Sequence, residues 1–190
     1  HALRRQLHRK FRKPLIVMTP KSLLRHKLAT SSLADMDKGT HFKRVIPETH
    51  KLVADDKVKR IVFTSGKVYY DLVEEREARK INDIAIVRTE QYYPFPEQEI
   101  LAELKRYKNA EVVWCQEETK NNGAWFFMGP RIGDLLDNLG RKELRIGYAG
   151  RPEAASPAAG YLKIFEKEQK ALVDEALTLD KVAGKKAKAS

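Results

Sequence analysis

The sequence is short of cysteine. Cys115 stands alone among 190 residues, which excludes an internal disulfide and any zinc site built from several cysteines, and suits a reducing compartment. It lies in the apolar run Val112-Val113-Trp114-Cys115, where a buried structural thiol is expected. Long apolar runs are missing too: none approaches the roughly 18 to 20 residues of a membrane span, and the opening His1-Ala2-Leu3-Arg4-Arg5 lacks the apolar stretch of a signal peptide. A soluble chain with no targeting signal and no membrane partner is expected. The five histidines are scattered without ligand spacing, so no metal site is expected.

Acidic residues are absent from both ends. Residues 1–27 hold nine Lys or Arg and residues 181–190 four Lys, while the 153 residues between them hold 24 bases against 26 acids. The formal net charge of +11 is therefore a property of the termini. A net charge of that size suggests a nucleic-acid binder, but no recognition fold with interleaved aromatics accompanies it. Nucleic-acid binding by the basic ends stands only as an alternative, and no such partner is expected.

The first segment, Leu3 to Phe11, is compatible with a helix and has no N-cap before it; residues 1–13 read as a basic helical arm leading from a preceding domain. Arg12-Lys13-Pro14 breaks it, and Leu15-Ile16-Val17-Met18-Thr19 has the length and apolarity of a strand. Pro20 to Arg25 predicts a short helix at most, and residues 26–59 a polar connection with one edge strand around Phe42–Ile46. From there strands and helices alternate: strands over 60–64, 84–88, 111–115 and 144–148, helices over 67–80, 96–107, 124–139 and 158–177. Strands apolar on both faces, separated by helices, predict an α/β domain over residues 14–180, with a mostly parallel five-stranded sheet and helices on both faces. The lysine-rich tail 181–190 has too little apolar content to fold.

Three stretches at the carboxyl edge of that sheet carry polar chemistry. Thr64-Ser65-Gly66-Lys67 lies where a strand hands over to a helix, so Lys67 and the helix start could hold an anion; the equal alternative is that Gly66 makes the turn and Ser65 caps the helix. Walker spacing is missing. In Arg88 to Pro96 the aromatics Tyr92, Tyr93 and Phe95 read as loop packing, with Arg88, Glu90 and Gln91 left open. Glu117 and Glu118 are neighbours on an extended strand and point to opposite faces, so they cannot both reach one substrate; helix capping and ion pairing with Arg88 or Arg151 is the simpler reading. Lys67 and Arg88 are the residues chosen for an anion or interdomain contact. No catalytic constellation is assembled.

Six ordered segments, Lys13–Arg25, Ser65–Leu72, Ile86–Pro96, Trp114–Glu118, Asn122–Trp125 and Tyr148–Pro152, resemble the C-terminal region of 2-oxoglutarate dehydrogenase, across residues 3 to 179. The Lys21-Ser22-Leu23-Leu24-Arg25 and Asn122-Gly123-Ala124-Trp125 matches favour that enzyme over a pyruvate or branched-chain 2-oxo acid dehydrogenase, whose matching domain is the alternative. The resemblance implies a three-layer sandwich of the transketolase C-terminal type at the end of a much longer polypeptide. It implies a homodimer that decarboxylates 2-oxoglutarate with thiamine diphosphate and magnesium and passes the succinyl group to the lipoyl arm of the dihydrolipoyl succinyltransferase component, in the tricarboxylic acid cycle. A bacterial cytoplasm is expected rather than a mitochondrial matrix.

In the family the cofactor ligands and the glutamate that activates the cofactor lie in two upstream domains, and no segment here matches them. The resemblance therefore gives this chain no catalytic, cofactor-binding or metal-binding residue. It gives the domain a role in organising the dimer and, in some members, an activating acetyl-CoA site. Carried over by position, that site falls on Arg5, His41, Arg44 and Gln91, followed by an arginine pair. Gln98 and Glu99 occupy the pair's positions, and a glutamate repels a CoA phosphate, so no response to acetyl-CoA is expected.

Overall fold

The strands of this chain are apolar without alternation, and a strand of that kind must be covered on both sides. In the computed structural model, which describes residues 1–141 and 145–179, five strands form one sheet in the order β1-β3-β2-β4-β5. They are β1 (Val45–Ile46), β2 (Arg60–Thr64), β3 (Ile84–Thr89), β4 (Glu111–Thr119) and β5 (Gly147–Arg151). β1 runs antiparallel to β3, and the other pairings are parallel, with Arg60 opposite both Ile84 and Glu111. β4 continues past the expected Cys115 to Thr119, with a register irregularity against β5 between those two residues.

The helices are α1 (Ala2–Leu7), α2 (Val68–Ala78), α3 (Glu97–Arg106), α4 (Trp125–Asn138) and α5 (Leu162–Leu177). One apolar core joins Ile61, Phe63, Ala85, Val87, Val112 and Trp114 of the sheet to Ile100 and Leu104 of α3 and Met128, Ile132 and Leu136 of α4. The other joins Val62, Ile84, Ile86, Val113 and Cys115 to Val68, Leu72 and Val73 of α2 and Leu172, Val173 and Ala176 of α5. Successive strand residues thus feed opposite cores, as the two-residue period of a strand requires, and the expected three-layer α/β arrangement is present.

The chain divides into two units, residues His1–Lys43 and the remainder from Arg44. Within the first, α1 is followed by short 3₁₀ turns at Lys21–Arg25 and Leu33–Met36; the second turn opens on a capping box in which Asp35 N–H donates to Ser32 Oγ and Ser32 N–H to Asp35 Oδ2. The expected strand at Leu15–Thr19 is not formed; its residues belong to no helix or strand and pair with no strand among the described residues. A strand is defined by a partner ladder as well as by apolarity, and the run lies between Pro14 and Pro20, neither of which has an N–H to give. The fifth strand is β1 instead. The start of the strand expected over 144–148 and the whole tail 181–190 lie outside the described residues.

Two fully buried arginines tie the second unit together. Arg60 is 0% exposed and pairs with Glu111 at 2.8 Å. It also donates to the carbonyls of Glu175, Ala176, Thr178 and Leu179, so a strand side chain caps the last turn of α5 where carbonyls lack helical donors. Arg76 of α2 meets Glu48 at 2.5 and 3.2 Å and the Ile84 carbonyl at 3.0 Å.

Candidate functional site

The carboxyl ends of β2, β3 and β4 open on one edge of the sheet, where α/β folds bind ligands. After β2 the chain turns at Gly66, whose φ of +69° suits a residue without Cβ, and delivers Lys67 to the start of α2. Lys67 Nζ lies 3.2 Å from Asp71 Oδ2 and 3.2 Å from Glu117 Oε1. Partial burial disfavours its ammonium, but the charges of Glu117 and Asp71 outweigh this and raise its pKa. The network continues outward. Gln169 of α5 donates to Asp71 Oδ2 at 2.6 Å, and Arg151 of β5 donates to Gln169 Oε1 at 2.9 Å, to Glu168 Oε2 at 2.9 Å and to the Glu117 carbonyl. Lys67 is thus held by carboxylates from two elements, and the Arg151 guanidinium engages the main chain of Glu117 and the side chain of Glu168 rather than either paired glutamate side chain.

Arg88, one residue before the end of β3, has Nε 2.9 Å and Nη2 2.8 Å from Glu90 Oε1, and its guanidinium lies over the ring of Tyr69 at 4.7 Å. Ser65 does not cap α2; the helix has no side-chain cap, and Ser65 is hydrogen-bonded to the Tyr92 phenol. Tyr92 meets Trp114 edge-on at 5.9 Å and Phe95 packs on the core, as expected of loop packing. Tyr93 does not: it is 80% exposed. Tyr92, Tyr93, Glu118, Gly123, Ala124 and Phe127 surround a shallow cavity of about 340 Å³.

Gln116, which sequence reasoning passed over, is the hub of this edge. Its Oε1 accepts from Trp114 Nε1 and from the Trp125 amide, each at 2.9 Å, and its Nε2 donates to the Thr119 carbonyl at 3.0 Å. It therefore fixes both the end of β4 and the start of α4. Gly123 is required beside it, because a Cβ there would stand 2.5 Å from Gln116 Nε2. A buried glutamine next to a glycine has no sequence signature of its own.

The four residues carried over for acetyl-CoA fall in different units. In the first, Arg5 lies over the Phe42 ring at 4.5 Å and the adjacent His41 is exposed. In the second, the Arg44 carbonyl accepts from the amides of Glu90 and Gln91 at 2.9 and 3.2 Å, which brings Arg44 and Gln91 together. Gln98 is exposed. Glu99 holds Arg44, at 2.7 Å to Nε and 2.5 Å to Nη2, so the residue standing in place of an arginine neutralises the arginine beside it.

Thiamine diphosphate with magnesium does not fit this edge. Magnesium needs uncommitted oxygen donors, and here Asp71, Glu90, Glu117 and Glu168 are each committed to a cation or amide of the same unit. Among the described residues no group of three or more His, Cys, Asp or Glu could hold a metal, and no helix is long and apolar enough to cross a membrane.

Comparison with known proteins gives this edge its context. Residues 30–177 match the family described as 2-oxoglutarate dehydrogenase C-terminal. A 2-oxoglutarate dehydrogenase E1 component of Cupriavidus necator is 55% identical over 177 residues, 93% of this chain and 18% of that protein. One of Brucella ovis is 50% identical over 185 residues, with the same coverage. The chain thus spans about a fifth of the length of these curated relatives. A solved structure titled "Split gene transketolase, inactive beta4 tetramer" superimposes with a TM-score of 0.49 at 14% identity, over 75% of this chain and 46% of that one, a likeness too slight to carry an argument. By the family match and the identity along nearly its whole length, the chain belongs to the 2-oxoglutarate dehydrogenase C-terminal family.

Proposed function

We propose that this chain is the C-terminal part of a 2-oxoglutarate dehydrogenase E1 component, an oxidoreductase acting in the bacterial cytoplasm. The whole protein, a homodimer, decarboxylates 2-oxoglutarate and passes the succinyl group to the lipoyl arm of the succinyltransferase component in the tricarboxylic acid cycle. The observation that carries this reading is 55% identity across 93% of the chain to a protein of which it spans 18%. Thiamine diphosphate and magnesium belong to upstream domains in this reading, and the residues described here touch no substrate. Their work is architectural: the Lys67–Asp71–Gln169–Arg151 network locks the carboxyl edge into one shape, which a neighbouring domain or the dimer partner can meet as a rigid surface. Lys67 and Arg88, both partly exposed, are the cations of that surface. Arg44 is held by Glu99, which supports an enzyme without an acetyl-CoA response through Arg5, His41, Arg44 and Gln91.

The test is the protein from which the chain comes, purified whole and supplied with thiamine diphosphate, magnesium and ferricyanide. Reduction dependent on 2-oxoglutarate is expected, with none from the 190 residues alone. Activity with pyruvate in place of 2-oxoglutarate, or an intact mass near 21.8 kDa, would refute the reading.

A further inference from the structure

We propose that Leu15–Thr19 is an interior strand of a neighbouring domain's sheet, a domain that precedes this one in the same polypeptide. This rests on the reading that the chain is the C-terminal part of a longer protein. The run Leu15-Ile16-Val17-Met18-Thr19 has no alternation, the pattern of a strand covered on both faces. Yet Leu15 is 43%, Ile16 82%, Val17 63% and Met18 90% exposed. The run belongs to no helix or strand, so the partner ladder and the two covering layers are what it lacks. Its surroundings have the same character: no residue from His1 to Lys43 is buried, and Leu3, Leu7, Phe11, Leu24 and Leu28 are exposed. A segment with this much uncovered apolar side chain has no core of its own.

Three observations identify the neighbour. The family match begins at residue 30, after the run. The Cupriavidus relative matches 177 residues, more than residue 30 and everything after it hold together, so its match reaches back into the segment before residue 30. That segment therefore continues in the long relatives while lying outside the C-terminal family. About four fifths of the relative lies outside this chain, which is where a sheet could come from. On its β3 side the sheet of the second unit is already occupied, by β1 at Thr89 and Arg88 and by the Glu48 carboxylate on the Ile86 amide. The strand would dock by main-chain hydrogen bonding to a sheet edge, with α1 and the residues up to about 29 belonging to the same neighbour.

Amide exchange read by mass spectrometry on the intact protein tests this, on a preparation also assayed with 2-oxoglutarate. The amides of residues 15–19 are expected to exchange at least about 100-fold more slowly than in a free peptide of that sequence. Photo-methionine incorporated in place of methionine should cross-link from Met18 to residues N-terminal to this chain in the same polypeptide. Exchange as fast as in the free peptide would overturn the proposal. So would cross-links from Met18 into residues 44–179, or between two copies of residues 15–19. Loss of the functional reading shows separately, as absence of turnover with 2-oxoglutarate in a preparation whose residues 15–19 are protected.

Discussion

Replacing Glu48 with leucine removes one carboxylate that serves three masters. Its side chain is 3% exposed. It neutralises Arg76, accepts from the amide of Ile86 at 2.8 Å, and accepts from the amide of His50 at 2.8 Å. β1 pairs with β3 only at Thr89 and Arg88, so Glu48 stands in for the missing strand residue opposite Ile86. Glu48→Leu therefore strands a buried guanidinium and a strand amide together, at a cost of about 3–5 kcal/mol. Arg76→Met is the milder lesion, about 1.5–3 kcal/mol, because the carboxylate keeps its amide donors. The double variant takes the carboxylate from the Ile86 and His50 amides but leaves no buried charge, so it should be more stable than the sum of the singles by about 2 kcal/mol or more.

Equilibrium urea unfolding read by the fluorescence of Trp114 and Trp125, both in the second unit, measures all three. Burial by itself would raise the Glu48 pKa, but hydrogen bonds from Arg76 and the Ile86 and His50 amides, with the Arg76 charge, hold it below its ordinary 4.5. The unfolded chain then takes up this proton first as the pH falls. The stabilisation is complete above about pH 5 and is lost as the pH drops through the lowered value, and Glu48→Leu should flatten the stability curve over that acid range. A Glu48→Leu cost below about 1 kcal/mol, or additivity of the singles within about 0.5 kcal/mol, would refute the reasoning.

Gly123→Ala forces a methyl to within 2.5 Å of the Gln116 amide, a side chain pinned by its own hydrogen bonds, and should cost about 1–3 kcal/mol, read as a lowered Tm by calorimetry. Burial pushes the Cys115 thiol far above its usual range, so the native protein should not react with Ellman's reagent at pH 8 and should release one equivalent in denaturant; reaction without unfolding would show that the thiol is accessible. Saturating acetyl-CoA should leave the 2-oxoglutarate rate of the whole enzyme unchanged, because Glu99 occupies Arg44; activation would show that the pair opens.

Much of the second unit was legible because its periods are local. The strands at 60–64 and 84–89 and the helices beginning near Val68, Glu97 and Trp125 are written in runs of apolar residues bounded by Gly, Pro and charge. Leu15–Thr19 does not join this sheet, because an apolar run states that a strand is wanted without stating where its partner is. At the carboxyl edge the positions of Lys67 and Arg88 followed from their place after strands, but not what they touch. Glu117 lies fifty residues from Lys67, and the choice between Lys67, Arg88 and Arg151 as its partner is made by strand order. Glu48–Arg76 and Arg44–Glu99 were invisible for a related reason: a charge that will be buried looks the same in sequence as one that will be solvated.

Arg60 ties the beginning of the innermost strand to the end of the last helix, and that sets an order of events. During synthesis β2 leaves the ribosome more than a hundred residues before Thr178 and Leu179, whose carbonyls receive its guanidinium. Until those carbonyls arrive, closing the sheet would bury a cation with only Glu111 for company. The second unit should therefore stay open until the residues up to 179 have emerged, and a chain stopped before α5 is complete should be recognised by the cell as unfinished rather than merely less stable.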